Sequence, residues 1–283
     1  TLFAIISIPT IYMIVPMVQL FPVALGLKTL FISAILLVFL FGLMLPVFYQ
    51  EKTKNGWQTL TGFLALLFFV LATFNSGFSI EKKKPNSLVF IQNSDTNTSY
   101  WASHNKTLDG YTKQYFNDES KQGGADLMAG KSKYNTSFNY YQKAENKNIP
   151  ISNIKINKDT LINNLRNVSF TIAPTRNIDK YELYTNAQIE LTNFTVNGTL
   201  YDKGKAFVAN KGTLLIYQMA NTDKDLTISF TIDKNTEPDI VINEISNDLL
   251  SHPKFTIRPR SEIMMPMPFV VNDAIICTRK LKL

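Results

Sequence analysis

The residues best suited to chemistry lie in one short stretch, SYWASHNKTLDGYT, residues 99–112. It contains His104 and Asp109, and Asp95 precedes it. Imidazole and carboxylate groups serve either as zinc ligands or as the base and orienting acid of a hydrolytic triad. A zinc site needs three or four converging ligands, and a triad needs an exposed nucleophile. The rest of the sequence therefore has to supply the missing groups.

The remaining candidates do not complete a metal or catalytic set. His104, His252 and Cys277 are the only nitrogen or sulfur ligands in the sequence, and neither histidine belongs to an H-x-x-x-H, H-E-x-x-H or H-x-D pair. No G-x-S-x-G turn is present to expose a serine. The sequence thus assigns no catalytic, metal-binding or cofactor-binding residue. His104 is predicted to be a surface turn residue.

The pattern around this stretch is typical of two strands and a turn. The polar run NSDTNT, residues 93–98, separates SLVFIQ from YWAS and predicts a β-hairpin, with Trp101 packed on the sheet behind it. Asp109 is predicted to cap a helix that begins in LDGYTKQYF. The segment MMPMPF, residues 264–269, is predicted to be buried at a sheet edge or in a connection. A contact surface for a partner or a membrane is the alternative.

The first part of the chain is strongly apolar. Lys28 is the only charged residue among the first 50. Three apolar runs, residues 2–25, 29–49 and 57–78, are each long enough for a helix to cross the hydrocarbon core of a bilayer. They predict three transmembrane helices within residues 1–80, with membrane lipid as a partner. Lysines flank both ends of these runs, so charge does not determine the orientation.

Residues 81–283 change to an apolar–polar alternation with a period of two. DLTISFTID, residues 225–233, alternates apolar and hydroxyl-bearing residues, as half-buried strands do. Repeated strands of this kind predict a mainly β, extracytoplasmic domain, an antiparallel β-sandwich. A flexible insertion is predicted near 117–150, and short helices at 159–165 and 244–250.

Composition narrows the classes of function. The net charge of +7 is spread thinly along the chain, so no nucleic-acid partner is predicted. A single cysteine, Cys277, excludes an internal disulfide. Lysine, asparagine and isoleucine are abundant, which is typical of an AT-rich, bacterial genome. The first residue is Thr1 rather than methionine, which predicts a processed product or a piece of a longer protein.

Two stretches resemble a known family. KKKPNSLVFIQNSDTNTSYWASHNKTLDGYTKQYF, residues 82–116, is similar to the segment that follows the transmembrane helices in membrane-anchored di-zinc aminopeptidases. This branch includes the endoplasmic-reticulum metallopeptidase, the vacuolar membrane protease and bacterial relatives. The shared features are a Pro-Asn-Ser-Leu strand start, Trp-Ala-Ser, Leu-Asp and an aromatic–Thr pair, in which Tyr111 replaces the commoner tryptophan. RSEIMMPMPFVVNDAIICTRKLKL, residues 260–283, resembles their C-terminal strand pair.

The resemblance implies that the chemistry lies outside this chain. Family members hold two zinc ions with His, Asp and Glu ligands in an upstream peptidase domain, and no residue here matches that ligand set. The implied function is the non-catalytic membrane anchor and accessory β-domain of a zinc-dependent exopeptidase. The implied partner is the upstream catalytic domain, and the implied location of the β-domain is the bacterial periplasm, with an endomembrane lumen as the alternative. The alternative function is a free-standing, membrane-anchored β-sandwich subunit of an envelope complex, with another membrane subunit as its partner.

Overall fold

A computed structural model describes residues 2–25, 30–50, 56–75, 77–124, 126–130, 136–201, 206–222 and 224–283. The chain separates into two compact units, Thr1–Gly77 and Phe78–Leu283. The described part of the first unit is helical, and the second unit is built mainly from β-strands.

The first unit contains helices α1, Leu2–Leu25, α2, Leu30–Gln50, and α3, Gly56–Phe74. In α1, the window Ile5–Pro22 has a mean hydropathy of 1.7 and none of it is buried. By length and composition this helix is suited to be a membrane anchor or a signal sequence. The chain therefore carries one candidate membrane span among its described residues.

The prediction of three transmembrane helices is wrong. Among the described residues, the apolar parts of α2 and α3 are shorter than a span, Leu30–Leu45 and Gly62–Phe74. At 1.5 Å per residue they rise about 24 Å and about 20 Å, less than the roughly 30 Å of a hydrocarbon core. In addition, α3 ends at Phe74 rather than at residue 78. Among the described residues, only α1 therefore meets the length and composition of a membrane span.

The described part of the second unit contains fourteen strands. In chain order they are β1 Lys84–Asn86, β2 Val89–Asn93, β3 Thr98–Ser103, β4 Lys121–Gln122, β5 Tyr140–Ala144, β6 Asn153–Ile162, β7 Leu165–Ala173, β8 Lys180–Val196, β9 Thr199–Leu200, β10 Phe207–Gln218, β11 Leu226–Asp233, β12 Ile240–Ser246, β13 Met264–Pro266 and β14 Ala274–Lys280. The predicted hairpin is confirmed, because β2 and β3 pair antiparallel with Val89 opposite Ala102.

Twelve of these strands form one sheet in the order β4-β5-β3-β2-β14-β12-β8-β11-β7-β6, with β9 and β10 also paired to β8. The sheet is mixed, since β14 pairs with β2 in parallel. A separate two-stranded sheet pairs β1 with β13, also in parallel. The predicted antiparallel β-sandwich is therefore wrong. Alternation within one strand reports which face is buried, but it does not report the partner strand or its direction.

Buried apolar residues form clusters on this sheet. The largest joins β7 and β11 to β8, β10 and β12, and it contains the apolar residues of DLTISFTID, as their alternation predicts. A second cluster includes Phe90, Tyr111, Leu249 and Ile275. This second cluster lies under residues 99–112, and Trp101 packs against it.

The two predicted short helices are also wrong. Residues 159–165 belong to the β6–β7 hairpin, in which Asn163 and Asn164 have positive φ angles of 48° and 65°. Asparagine tolerates this conformation in two-residue hairpin turns. Residues 244–246 are the end of β12. Near 117–150, where a flexible insertion is predicted, the described residues include the paired strands β4 and β5, and residues 125 and 131–135 lie outside them.

Candidate functional site

The two stretches that resemble the peptidase family lie side by side in the fold. In the small sheet, Lys84 of the first stretch is opposite Met264 of the second. In the large sheet, Val89 is opposite Ala274. Residues from opposite ends of the β unit thus form neighbouring strands.

A buried polar network joins the two stretches, and we call it the junction. Its members are Asn86, Asp109, Thr112, Arg260, Asn272 and Asp273. Asn86 is fully buried at the centre. Its side-chain amide donates to Asp109 Oδ2 over 3.4 Å, and its Oδ1 accepts from Nε of Arg260.

Arg260 connects the centre of the junction to the second stretch. Its two terminal nitrogens donate to both carboxylate oxygens of Asp273. This bidentate geometry is the strongest form of a carboxylate–guanidinium pair. The guanidinium also lies over the Tyr111 ring, 4.6 Å from its centroid. Arg260 therefore holds the Leu-Asp-Gly-Tyr turn against the chain after β13.

Asp109 explains the LDGYT part of the motif. Its Oδ1 accepts hydrogen bonds from the backbone N–H groups of Tyr111 and Thr112, at 3.1 and 3.0 Å. The prediction that Asp109 caps a helix is wrong, because the structure has only a single 3-10 turn, Thr112–Gln114, whose N-cap is Tyr111 and which has no side-chain cap hydrogen bond. The Asp109 side chain instead binds the backbone that leads into this turn. Burial raises the pKa of the Asp109 carboxyl, but hydrogen bonds from Thr112 and Asn86 and the charge of Lys84 outweigh burial. The net pKa lies below the ordinary value.

The hydroxyl groups of Ser87 and Ser103 have structural partners. Ser87 Oγ accepts the backbone N–H of His104 at 2.6 Å, and Ser103 Oγ donates to the carbonyl oxygen of Ser87 at 2.8 Å. The backbone N–H of Ser87 donates to Asn105 Oδ1 at 2.8 Å. All of these side chains are buried. These hydrogen bonds hold Ser87, which follows β1, against the end of β3.

His104 is buried, so the prediction of a surface turn residue is wrong. Its exposed fraction is 8%, and its ring stacks on Phe138 with 4.4 Å between centroids. The ring Nδ1 donates to the carbonyl oxygen of Ser137 at 2.9 Å. Burial lowers the pKa of His104 below its ordinary value, and the Ser137 carbonyl offsets this only in part. The imidazole is therefore neutral at pH 7.

We expect acidification to destabilise the chain partly through His104. Because its pKa is lower in the folded protein than in the unfolded chain, its stabilising contribution is complete above about pH 6.5. The contribution is lost as the pH falls from there through the folded-state pKa. His104→Gln should therefore make the melting temperature depend less on pH between 7.5 and 5.5. Circular-dichroism melts of the full chain in detergent measure this slope.

His252 offers the matched control for that experiment. It is only half-buried, with its ring 5.6 Å from the Phe255 ring, centroid to centroid. His252→Gln should leave most of the pH dependence in place, because a less buried imidazole loses less solvation on folding. If His104→Gln and wild type have the same slope, the buried imidazole is not a source of the acid sensitivity.

A second buried polar cluster connects β12 and β14. Glu244 is fully buried, and one of its carboxylate oxygens is 3.3 Å from a terminal nitrogen of Arg279. The other oxygen accepts the backbone N–H of Ser152 at 2.9 Å and its hydroxyl at 3.0 Å. The Tyr181 hydroxyl lies 2.7 Å from the Ser152 hydroxyl, and burial raises the Tyr181 pKa to about 12. Tyr181 is therefore protonated at neutral pH.

Cys277 borders this second cluster and is chemically inert. Its sulfur lies 3.7 Å from a terminal nitrogen of Arg176. Burial raises the pKa of the thiol to about 11, and Arg176 offsets this only in part. A protonated thiol is a poor nucleophile and a poor metal ligand. Over the ranges that the structure describes, no group of three or more His, Cys, Asp or Glu residues is placed to hold a metal ion.

The methionine-rich segment divides between two environments. Met264–Pro266 forms β13, and Met264 Sδ lies 3.2 Å from the Asn86 amide nitrogen. No residue of the segment is buried, so the prediction of burial is wrong. Phe269, at the end of the segment, is 67% exposed and has a positive φ of 65°. The segment is therefore partly built into the junction and partly exposed.

No protein-family model matches the chain, and no curated protein matches it significantly. The geometry gives the motif residues of the first stretch structural roles. Sequence reasoning did not single out Arg260, Asn272 or Asp273. Arg260 and Asn272 contact Asn86, and Asp273 completes the junction by pairing with Arg260. The sequence signal that could have found them is that all three lie within residues 260–283, the second stretch that resembles the peptidase family. The function is therefore argued as a proposal.

Proposed function

We propose that this chain is the non-catalytic membrane anchor and accessory β unit of a zinc-dependent exopeptidase. The observation that carries the proposal is that the two resembling stretches converge on the junction. The shared residues thus belong to one piece of tertiary structure, in which Asn86 contacts both Asp109 and Arg260. Because the resembling residues contact one another in the fold, the two short similarities support a shared structure more strongly than they would if the stretches lay apart.

Within the part of the chain that the structure describes, no His, Cys, Asp and Glu side chains are grouped so as to hold zinc. His104 is buried and its Nδ1 is bound to a carbonyl oxygen. The Cys277 thiol is protonated at neutral pH because burial raises its pKa to about 11. Zinc and peptide hydrolysis are accordingly assigned to an upstream domain. In this proposal α1 anchors the protein, and the β unit lies in the bacterial periplasm and positions or shields the active site.

The β6–β7 hairpin supports a second candidate function. Leu161, Ile162 and Leu165 are large apolar residues at its tip, and all three are exposed. Adjacent exposed apolar side chains are typical of a protein contact. This observation favours a membrane-anchored subunit of an envelope complex that binds another membrane subunit through the hairpin.

Purification from native membranes discriminates between the two candidates. We expect an intact mass well above 32.1 kDa, with upstream peptides in which His, Asp and Glu cluster. We also expect an aminopeptidase activity that a chelator abolishes and zinc restores. A mass of 32.1 kDa, with no chelator-sensitive activity and a stoichiometric partner, would overturn the peptidase proposal in favour of the subunit.

Deletion of the β unit tests its accessory role. Removing residues 85–283 from the intact protein should lower its peptidase activity or change its specificity. The deletion variant has to be compared with wild type at equal zinc content. Unchanged activity, specificity and stability would contradict the accessory role.

A further inference from the structure

A cleft of about 330 Å³ opens on the β unit close to Trp101. Four aromatic rings line it, those of Phe90, Trp101, Tyr115 and Phe255. The chain segment from Lys254 to Ile257 forms another part of the wall. Ligand pockets in proteins begin at about 300 Å³ and combine an apolar lining with a few polar groups.

The aromatic lining is held in place before any ligand binds. The Trp101 ring lies 4.9 Å from the Tyr115 ring and 5.7 Å from the Phe255 ring, centroid to centroid. Phe90 is fully buried and contacts Trp101 at 5.2 Å. The backbone of Arg258 donates a hydrogen bond to the Tyr115 oxygen. A preformed apolar surface binds an apolar side chain at little ordering cost.

Lys254 places a positive charge at this cleft. Its ammonium donates to the carbonyl oxygens of Lys147 and Asn148, at 2.9 and 2.6 Å. Both partners are neutral, and no carboxylate in the described residues pairs with Lys254. The neighbouring Lys147 instead pairs with Glu145 at 2.6 Å. The Lys254 ammonium therefore has a third N–H that is left for an anion.

The segment beside Lys254 also has backbone groups to offer. Phe255 donates its N–H to the His252 carbonyl, but the peptide groups of Thr256 and Ile257 have no hydrogen-bond partner among the residues the structure describes. These two residues belong to no strand. Backbone N–H and C=O groups without a partner can form hydrogen bonds with the backbone of a bound peptide.

We propose that this cleft binds the carboxyl-terminal end of a peptide whose last residue is apolar. The apolar side chain packs on the aromatic rings, the terminal carboxylate binds the Lys254 ammonium, and the peptide backbone pairs with Thr256 and Ile257. This proposal goes beyond the accessory role, because every residue that lines the cleft belongs to the β unit. A chain without any attached peptidase would still bind, so the two proposals fail independently.

Isothermal titration calorimetry of the full chain in detergent tests the proposal. The probe is N-acetyl-Gly-Gly-Phe with a free carboxylate, compared with the same peptide as its amide. We expect the acid to bind roughly tenfold more tightly, because only the acid makes a charge-assisted hydrogen bond with Lys254. Equal affinities, or no binding of the acid at millimolar concentration, would overturn the proposal.

Substitution of Lys254 assigns the preference to one side chain. Lys254→Gln should lower the affinity for the acid about tenfold and remove the difference between acid and amide. Lys254→Arg, which keeps the charge, should retain the preference. A Lys254→Gln variant that melts like wild type and still prefers the acid would overturn the assignment.

Two controls complete the design. Lys282 is also exposed but lines a different cleft, of about 300 Å³, so Lys282→Gln should bind both probes as wild type does. A loss of the preference in Lys282→Gln would mean that general charge, not the cleft, attracts the acid. Octanoate carries a carboxylate on a flexible apolar chain without a peptide backbone. If octanoate bound as tightly as the peptide acid, the cleft would be a site for fatty carboxylates and the peptide assignment would be overturned.

Discussion

Replacement of Glu244 by glutamine is expected to lower the free energy of unfolding by about 3–5 kcal/mol. Glutamine keeps the size of the side chain but removes the charge that faces Arg279, whose side chain is only 14% exposed. The guanidinium then stays buried without a counter-charge. Ser152 also loses its charged acceptor for two hydrogen bonds. Urea unfolding of the full chain, followed by circular dichroism, measures the change.

An exposed ion pair is the matched control. Glu145 pairs with Lys147, but its side chain is 79% exposed. Glu145→Gln should leave the midpoint of unfolding unchanged, because an exposed pair gains little over hydrated charges. If Glu244→Gln were as mild as this control, the buried pair would not be required for stability. Replacing both Glu244 and Arg279 by methionine should recover part of the loss, since an apolar pair leaves no buried charge.

Replacement of Asp109 by alanine is expected to cost about 2–4 kcal/mol, the second-largest effect. The change leaves the backbone N–H groups of Tyr111 and Thr112 without their acceptor. It also removes a contact of Asn86 at the centre of the junction. Urea unfolding at pH 7 measures the loss.

The pH dependence of the free energy of unfolding shows whether Asp109 stabilises the protein through its charge or through the size of its side chain. The pKa of Asp109 is lower in the folded protein than its ordinary 3.8, so its contribution is present above that pH and is lost as the pH falls through the folded-state pKa. Asp109→Asn should therefore lose stability at pH 7 and reduce the loss that wild type shows on acidification. Asp95, which accepts one backbone N–H from Lys280 in an exposed position, is the control. Asp109→Ala with no more effect than Asp95→Ala would contradict the role of the junction.

The local features could be predicted because their causes lie within a few residues. The polar run at 93–98 ends one strand and starts the next, and the β2–β3 hairpin is the result. Asp109 binds the backbone that follows it, since its carboxylate accepts the N–H groups of Tyr111 and Thr112. Turns and caps are decided by hydrogen bonds between near neighbours in the chain.

His104 shows why other features could not be predicted. Its own neighbours in sequence are polar, and they suggest a surface turn. Its burial comes from Ser137 and Phe138, more than 30 residues later in the chain. The same holds for Arg260, which binds Asn86 from the far end of the β unit. A contact between distant segments leaves no periodic signal in either segment.

The sequence by itself determined where the apolar segment ends and the β unit begins. In the β unit apolar and polar residues alternate, because each strand buries only one of its two faces. The sequence also determined that the chain has only two histidines and one cysteine to serve as nitrogen or sulfur ligands. Tertiary structure decided the parallel pairing of β14 with β2 and the meeting of the two resembling stretches at Asn86. These outcomes depend on which distant segments form hydrogen bonds with each other's backbone and buried polar groups. Those partners come together only when the whole chain folds.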